Sequence, residues 1–260
     1  MSRRQITRSK SPAAMNADPD AEDYELLLPS EQQTGKPRDQ EEQLISEGRS
    51  GDSVAYYLAL TGAGVFTAVT WVVVLLNNPL NVGWFAFHPT LQSLSLLLLT
   101  YGILTLQPTS QPKTKAAGLA RHQYAILGAG FPIIFLGTLA IVLNKYVHGA
   151  VHFKSWHGKI GIASMVWIFG QVILGGGSVW FGGAAFGGGS KAKALWKYHR
   201  LSGYLLFLSL MVTCNLGGFW SNWGNNNCPS VIRIIAYIVS LAAMTIGLYI
   251  RVRPSKMKFY

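Results

Sequence analysis

The chain has 260 residues, half of them hydrophobic and only 13% charged, about half the charged share of a soluble domain. Lys and Arg outnumber Asp and Glu by 22 to 11, yet all 11 acids lie between Asp18 and Asp52, so residues 53–260 hold fifteen cations and no carboxylate. That excludes carboxylate acid–base pairs and carboxylate-bound metals from the apolar part. The basic residues border apolar runs and form no continuous patch, which argues against a nucleic-acid partner.

Residues 1–52 are polar, rich in Pro, Ser, Gln and Glu, and lack periodic apolar positions, so they are expected to be a disordered tail. Within it, "EDYELLLP" (residues 22–29) resembles an acidic dileucine sorting signal, which points to an endomembrane (vacuolar, endosomal or ER) rather than the plasma membrane. The alternative is a chance run of leucines.

Six apolar runs follow, at about 54–77, 84–106, 120–143, 157–181, 198–220 and 231–252. Each approaches the ~20 residues a helix needs to cross a bilayer. The breaks between them are loop-like: "NNPLN", "QPTSQPKTKAAG", "NKYVHGAVHFKS", "FGGAAFGGGSKAKA" and "NWGNNNCPS". Eleven Lys and Arg fall in the second loop, the fourth loop and the C-terminal tail; four (Lys145, Lys154, Lys159 and Arg233) fall on the opposite side. The positive-inside rule then makes both termini cytosolic. The expected fold is an all-α, multi-pass membrane protein of six transmembrane helices over 53–253, with a short basic cytosolic tail at 254–260. The glycine-rich fourth run ("GQVILGGGSVWFGG") offers a close-packing surface for a homodimer.

Four of the six histidines recur in a pattern. His88, His122, His157 and His199 each stand near the N-terminal end of one of the four central runs. Antiparallel topology puts His88 and His157 at one depth on the non-cytosolic side, and His122 and His199 together near the cytosolic face. Two such pairs on alternate helices of a four-helix bundle (spans two to five) suit two bis-histidine haems. The two cysteines, Cys214 and Cys228, form no CxxCH, so the haems would be non-covalent b type. Gly161 and Gly203 lie at i+4 from His157 and His199, where a missing side chain lets a flat macrocycle approach the backbone. Pro89, after His88, is read as lying in a first helical turn. The alternative is four unrelated interfacial histidines. In "AVHFKSWHGKIG" (residues 150–161) the five-residue step from His152 to His157 turns a helix by about 140°, so the two cannot share a face.

"FAFHP", the "RH" before the third run, "HFKSWHGKIG" and "YHRLSGYLL" together resemble the cytochrome b561 family of ascorbate-linked transmembrane reductases, over about residues 54–252. The likeness is greatest to its short, domain-only branch without a DOMON domain. It implies haem ligation by His88 with His157 and by His122 with His199. It also implies that the first histidine of "H-F-x-S-x-H-G", here His152, stands at the non-cytosolic surface, where with Lys154 it would meet monodehydroascorbate or a ferric chelate. Lys113, Lys115, Arg121 and Lys197 would form a cationic rim for cytosolic ascorbate. The aromatic–Arg segment of the chromaffin-granule branch is absent; "TKAAGLARH" stands in its place. Two other functions remain open: a haem-bearing anchor subunit for a partner enzyme, and a small-solute transporter. A transporter would gather polar groups at the midplane, whereas these histidines lie near the faces.

Overall fold

The computed structural model describes residues 48–107 and 111–257. The rest of the expected tail, with its dileucine stretch, lies outside the described residues. Among the described residues there is no strand. Six long helices follow in order: α1 (Asp52–Leu76), α2 (Trp84–Thr105), α3 (Pro112–Val147), α4 (Trp156–Val179), α5 (Trp196–Gly218) and α6 (Ser230–Ile250). Five stretches, carrying α1, α3, α4, α5 and α6, are long and apolar enough to cross a membrane, and the chain is an integral membrane protein. The remaining helix, α2, has 22 residues, enough for about 33 Å, but His88, Pro89, Gln92, Ser93 and Ser95 reduce its apolar character.

Two readings of the sequence change here. Residues 112–119, taken as loop, are the first turns of α3, so Lys113 and Lys115 ride on a helix that Pro112 opens. Pro89 is not in a first turn: α2 begins at Trp84, five residues earlier, so the Phe85 carbonyl loses its usual helical donor.

Helix α3 passes through a π-helical segment at Tyr124–Gly130. Pro132 stands two residues beyond it, and a widened turn relieves the clash its ring would make with the Gly128 carbonyl four residues back. A second π segment interrupts α6 at Ile235–Val239, where the Ser240 hydroxyl donates to the Ile235 carbonyl at 2.9 Å. Helix α4 ends where Phe181, Gly182 and Gly183 take left-handed φ values of 53°, 65° and 74°, which reverses the chain toward α5. The "GGG" of α4 is used inside the chain. Side chains added at Gly175, Gly176 and Gly177 would lie 2.6–2.9 Å from His199, Trp180 and Phe186. The part of the expected homodimer surface at residues 175–177 is therefore filled by the chain itself, while Gly170 stays open.

Helix α1 packs between α6 and α2, α2 pairs with α3, and α4 pairs with α5. Gly62 and Gly247 allow the first contact: a Cβ at either would stand 2.7 Å from the Ser240 carbonyl or 2.4 Å from the Ala55 carbonyl. The core between the helices holds Leu96, Leu104, Phe207, Met244 and Leu248. Leu136, Val166, Ile173 and Ile246 point outward, as lipid contact requires. Buried hydroxyls are satisfied within their own helix: Thr67, Thr70 and Thr100 each donate to the carbonyl four residues earlier, which spares them the cost of an unpaired donor in hydrocarbon.

The single carboxylate of the described residues, Asp52, belongs to this fold. It is 2% exposed, takes Arg253 Nη2 at 2.5 Å and accepts from the Arg49 backbone N–H at 2.7 Å. Arg251, also buried, donates to the Asp52 carbonyl at 2.6 Å, to the Leu104 carbonyl at 3.1 Å and to that of Gln107. These bonds join the start of α1 and the end of α2 to the end of α6. Burial pushes the Arg251 guanidinium below its ordinary range, with Asp52 pulling the other way.

Candidate functional site

His88, in the second turn of α2, and His157, in the first turn of α4, meet with ring centroids 5.8 Å apart and planes at 77°. Ser155 caps α4 by accepting from the Gly158 N–H at 3.2 Å, which fixes where the first turn, and His157 with it, begins. Each ring is held from the neighbouring helix of its own hairpin. His88 Nδ1 lies 3.0 Å from the Gly137 carbonyl of α3, and His157 Nδ1 lies 2.9 Å from the Thr213 carbonyl of α5. A carbonyl only accepts, so Nδ1 carries the proton and Nε2 keeps the lone pair in both.

The second pair is His122 of α3 with His199 of α5, with centroids 6.3 Å apart and planes at 86°. His122 Nδ1 donates to the Gly102 carbonyl of α2 at 3.1 Å. His199 Nδ1 is buried and has no hydrogen-bond partner among the described residues. Each pair thus takes one histidine from the α2–α3 hairpin and one from the α4–α5 hairpin. Between the pairs the hairpins meet through ring contacts of Phe169 with Phe131 (5.2 Å) and Phe135 (6.1 Å).

These donors suit one kind of metal. Two imidazoles bound through one nitrogen each at about 2 Å set their centroids roughly 6 Å apart, close to both observed separations. Among the described residues no group of three or more His, Cys, Asp or Glu could hold a metal ion, so each pair fits an ion whose other positions come from elsewhere, as in a haem. At Gly161 and Gly203 a Cβ would meet nothing nearer than Thr213 Cγ2 at 3.5 Å and Gln171 Oε1 at 3.7 Å. Protein packing therefore does not explain those glycines.

His152 and Lys154 are exposed on the loop between α3 and α4, where the His152 ring lies tilted at 46° to that of Phe153 (5.8 Å), itself at a left-handed φ of 55°. Lys113 is exposed and Lys115 half-buried in the first turns of α3. Lys197 lies over the Tyr198 ring at 5.3 Å. Arg121 donates to the Thr105 carbonyl at 3.4 Å and lines a cleft of about 500 Å³ with Tyr56, Tyr101, Gln107 and Arg251. It therefore turns toward α1 and the end of α2. Sequence reasoning missed the carbonyls of Gly102, Gly137 and Thr213. The only sequence signal for the first two is a glycine fourteen or fifteen residues after the histidine of its own helix.

Residues 87–224, just over half the chain, match the profile of the family described as eukaryotic cytochrome b561. All four paired histidines fall inside that stretch. The chain is 28% identical over 122 residues to the bovine (Bos taurus) protein named transmembrane reductase CYB561D2, covering 46% of this chain and 52% of that one. The human (Homo sapiens) protein of the same name is 27% identical over the same coverage. The chain thus aligns with about half the length of the curated relatives it matches.

Proposed function

Because the chain belongs to the eukaryotic cytochrome b561 family, we propose that it is a six-span transmembrane reductase that carries single electrons from cytosolic ascorbate to monodehydroascorbate or a ferric chelate across the membrane. The observation that carries this reading is the pair of adjacent imidazoles at each end of the helical unit. His88 and His157 hold one haem b and His122 and His199 the other. Bound there, haem iron supplies a one-electron couple. The protein's part is orientation. The carbonyls of Gly137, Gly102 and Thr213 lock the Nδ1–H tautomer of three ligands and leave Nε2 for the metal, and such partners also raise ligand basicity.

Both termini are cytosolic in this reading, which places the His122–His199 pair on the donor side. Lys113, Lys115 and Lys197 give that face positive charge suited to an ascorbate monoanion. His152 and Lys154 project from the opposite face, where the acceptor docks. The dileucine stretch, read as a sorting signal, supports placement in an endomembrane.

The test is an absorption spectrum of purified protein during stepwise ascorbate addition. Two haems per chain with a split or shouldered α-band, both reduced by ascorbate, support the proposal, and His88→Ala should then remove one haem and leave the other reducible. A protein without haem would return the histidines to an interfacial role. Haem that ascorbate cannot reduce would favour an anchor subunit serving a partner enzyme.

A further inference from the structure

Opposite each paired histidine, on the neighbouring helix of its hairpin, stands a glycine, and the two hairpins use it differently. In α2–α3 the glycine supplies its carbonyl: Gly137 to His88 and Gly102 to His122. In α4–α5 it supplies space. A Cβ at Gly175 would lie 2.6 Å from His199 Cε1 and 3.1 Å from both ring nitrogens, and one at Gly217 would lie 2.6 Å from His157 Cε1 and 2.7 Å from Nδ1. Real Cβ contacts shorter than 3.0 Å are essentially never seen, so an alanine at either position must displace the imidazole or the helix that carries it. The two rings differ in what else holds them. His157 keeps its bond to the Thr213 carbonyl, whereas His199 Nδ1 has no partner.

Resting on the haem reading above, we infer that Gly175 and Gly217 are positioning residues. Each seats one ligand imidazole on the bare face of the facing helix, and Gly175 matters more because, among the described residues, no hydrogen bond fixes His199 Nδ1. The four ligands are therefore not equivalent. Three are aimed by backbone carbonyls, and the fourth is aimed by packing against α4 at Gly175.

The experiment compares full-length wild-type protein with Gly175→Ala, Gly217→Ala, Gly218→Ala and Gly170→Ala. Haem per chain, the low-spin ferric EPR signals and the reduction potential of each centre are read, with His88→Ala and His122→Ala assigning the signals. Gly175→Ala should weaken haem binding at the His122–His199 pair by about tenfold or more, the range seen when a ligand's orienting partner is lost. The His88–His157 signal stays and serves as the internal control for folding. Gly217→Ala should shift the His88–His157 signal by less and leave the other alone. Gly218 faces Tyr237, not a histidine, with a Cβ 2.1 Å from that ring, so Gly218→Ala should lower both signals together. Gly170 has nothing within 4 Å, and its alanine should match wild type. If the wild type carries both signals and Gly175→Ala reproduces them at unchanged potentials, the inference is wrong while the haem reading stands. If the wild type lacks bis-imidazole signals, the haem reading falls and the inference falls with it.

Discussion

Replacing Asp52 with asparagine isolates the ion pair that ties the first turn of α1 to the segment after α6. The amide keeps the size of the carboxylate and one acceptor oxygen, so the Arg49 backbone N–H, now at 2.7 Å, still has a partner. What disappears is the charge facing Arg253, whose Nη2 lies 2.5 Å away with both side chains largely withdrawn from solvent, together with the looser pair to the half-exposed Arg49 at 3.5 Å. A hydrogen bond between charged groups contributes about 1.5–3 kcal/mol, and an acid in the first turn of a helix a further 0.3–1 kcal/mol, roughly. Asp52→Asn should therefore cost about 2–4 kcal/mol. Arg253→Gln should cost at least as much, because it leaves a buried carboxylate short of its cation. The double variant should lose less than the two singles combined, with a coupling of about 1.5–3 kcal/mol. Denaturant unfolding in micelles, followed by tryptophan fluorescence on all four proteins, measures it. A coupling below about 0.5 kcal/mol would refute the reasoning and return Asp52 to the polar tail.

Four further outcomes follow from the geometry. Gly247→Ala places a methyl 2.4 Å from the Ala55 carbonyl and 2.8 Å from Ala59 Cβ, so overpacking between α1 and α6 should cost about 1–3 kcal/mol in the same unfolding assay. Gly64→Ala, with nothing within 4 Å, should be neutral or stabilise by up to about 1 kcal/mol. Ser155→Ala removes the cap that accepts from Gly158 and should cost about 1 kcal/mol; faster amide exchange confined to residues 156–158 would locate the loss, and unchanged exchange there would count against a capping role. His152→Ala should leave every haem band in place while raising the acceptor KM in stopped-flow reduction, since His152 lies on an exposed loop; a changed spectrum would contradict that surface role.

The sequence shows most of the architecture, because in lipid an apolar run near 20 residues has few alternatives to a helix. It shows the histidine pairs less directly, through alternation: helices that start on the same side place equivalent positions at one depth. Partnerships across helices are where it falls short. Asp52 and Arg253 are separated by two hundred residues of chain, so the acid reads as the end of a polar tail until the fold encloses it. Arg121, adjacent to His122, reads as part of a donor rim, but one helical step turns it by about 100° to Thr105 and the neighbouring cleft. The three glycines of α4 read as a dimer surface, since composition does not distinguish a groove open to another chain from one filled by His199, Trp180 and Phe186.

The π-helical segment of α3 has a bearing on how this chain tolerates changes in length. Fourteen residues separate His88 from Gly102 in α2, and fifteen separate His122 from Gly137 in α3. A π turn closes its hydrogen bond five residues back instead of four, so it absorbs one residue without advancing the helix face. The extra residue of α3 is stored at Tyr124–Gly130, and histidine and glycine keep the phase they have in α2. Deleting one residue there should restore α geometry and leave both on their present faces. In α5, where the eighteen residues from His199 to Gly217 make five whole turns, the same deletion would rotate one against the other by about 100°. A single-residue deletion should therefore be accepted in the π segment of α3 and rejected between His199 and Gly217 of α5.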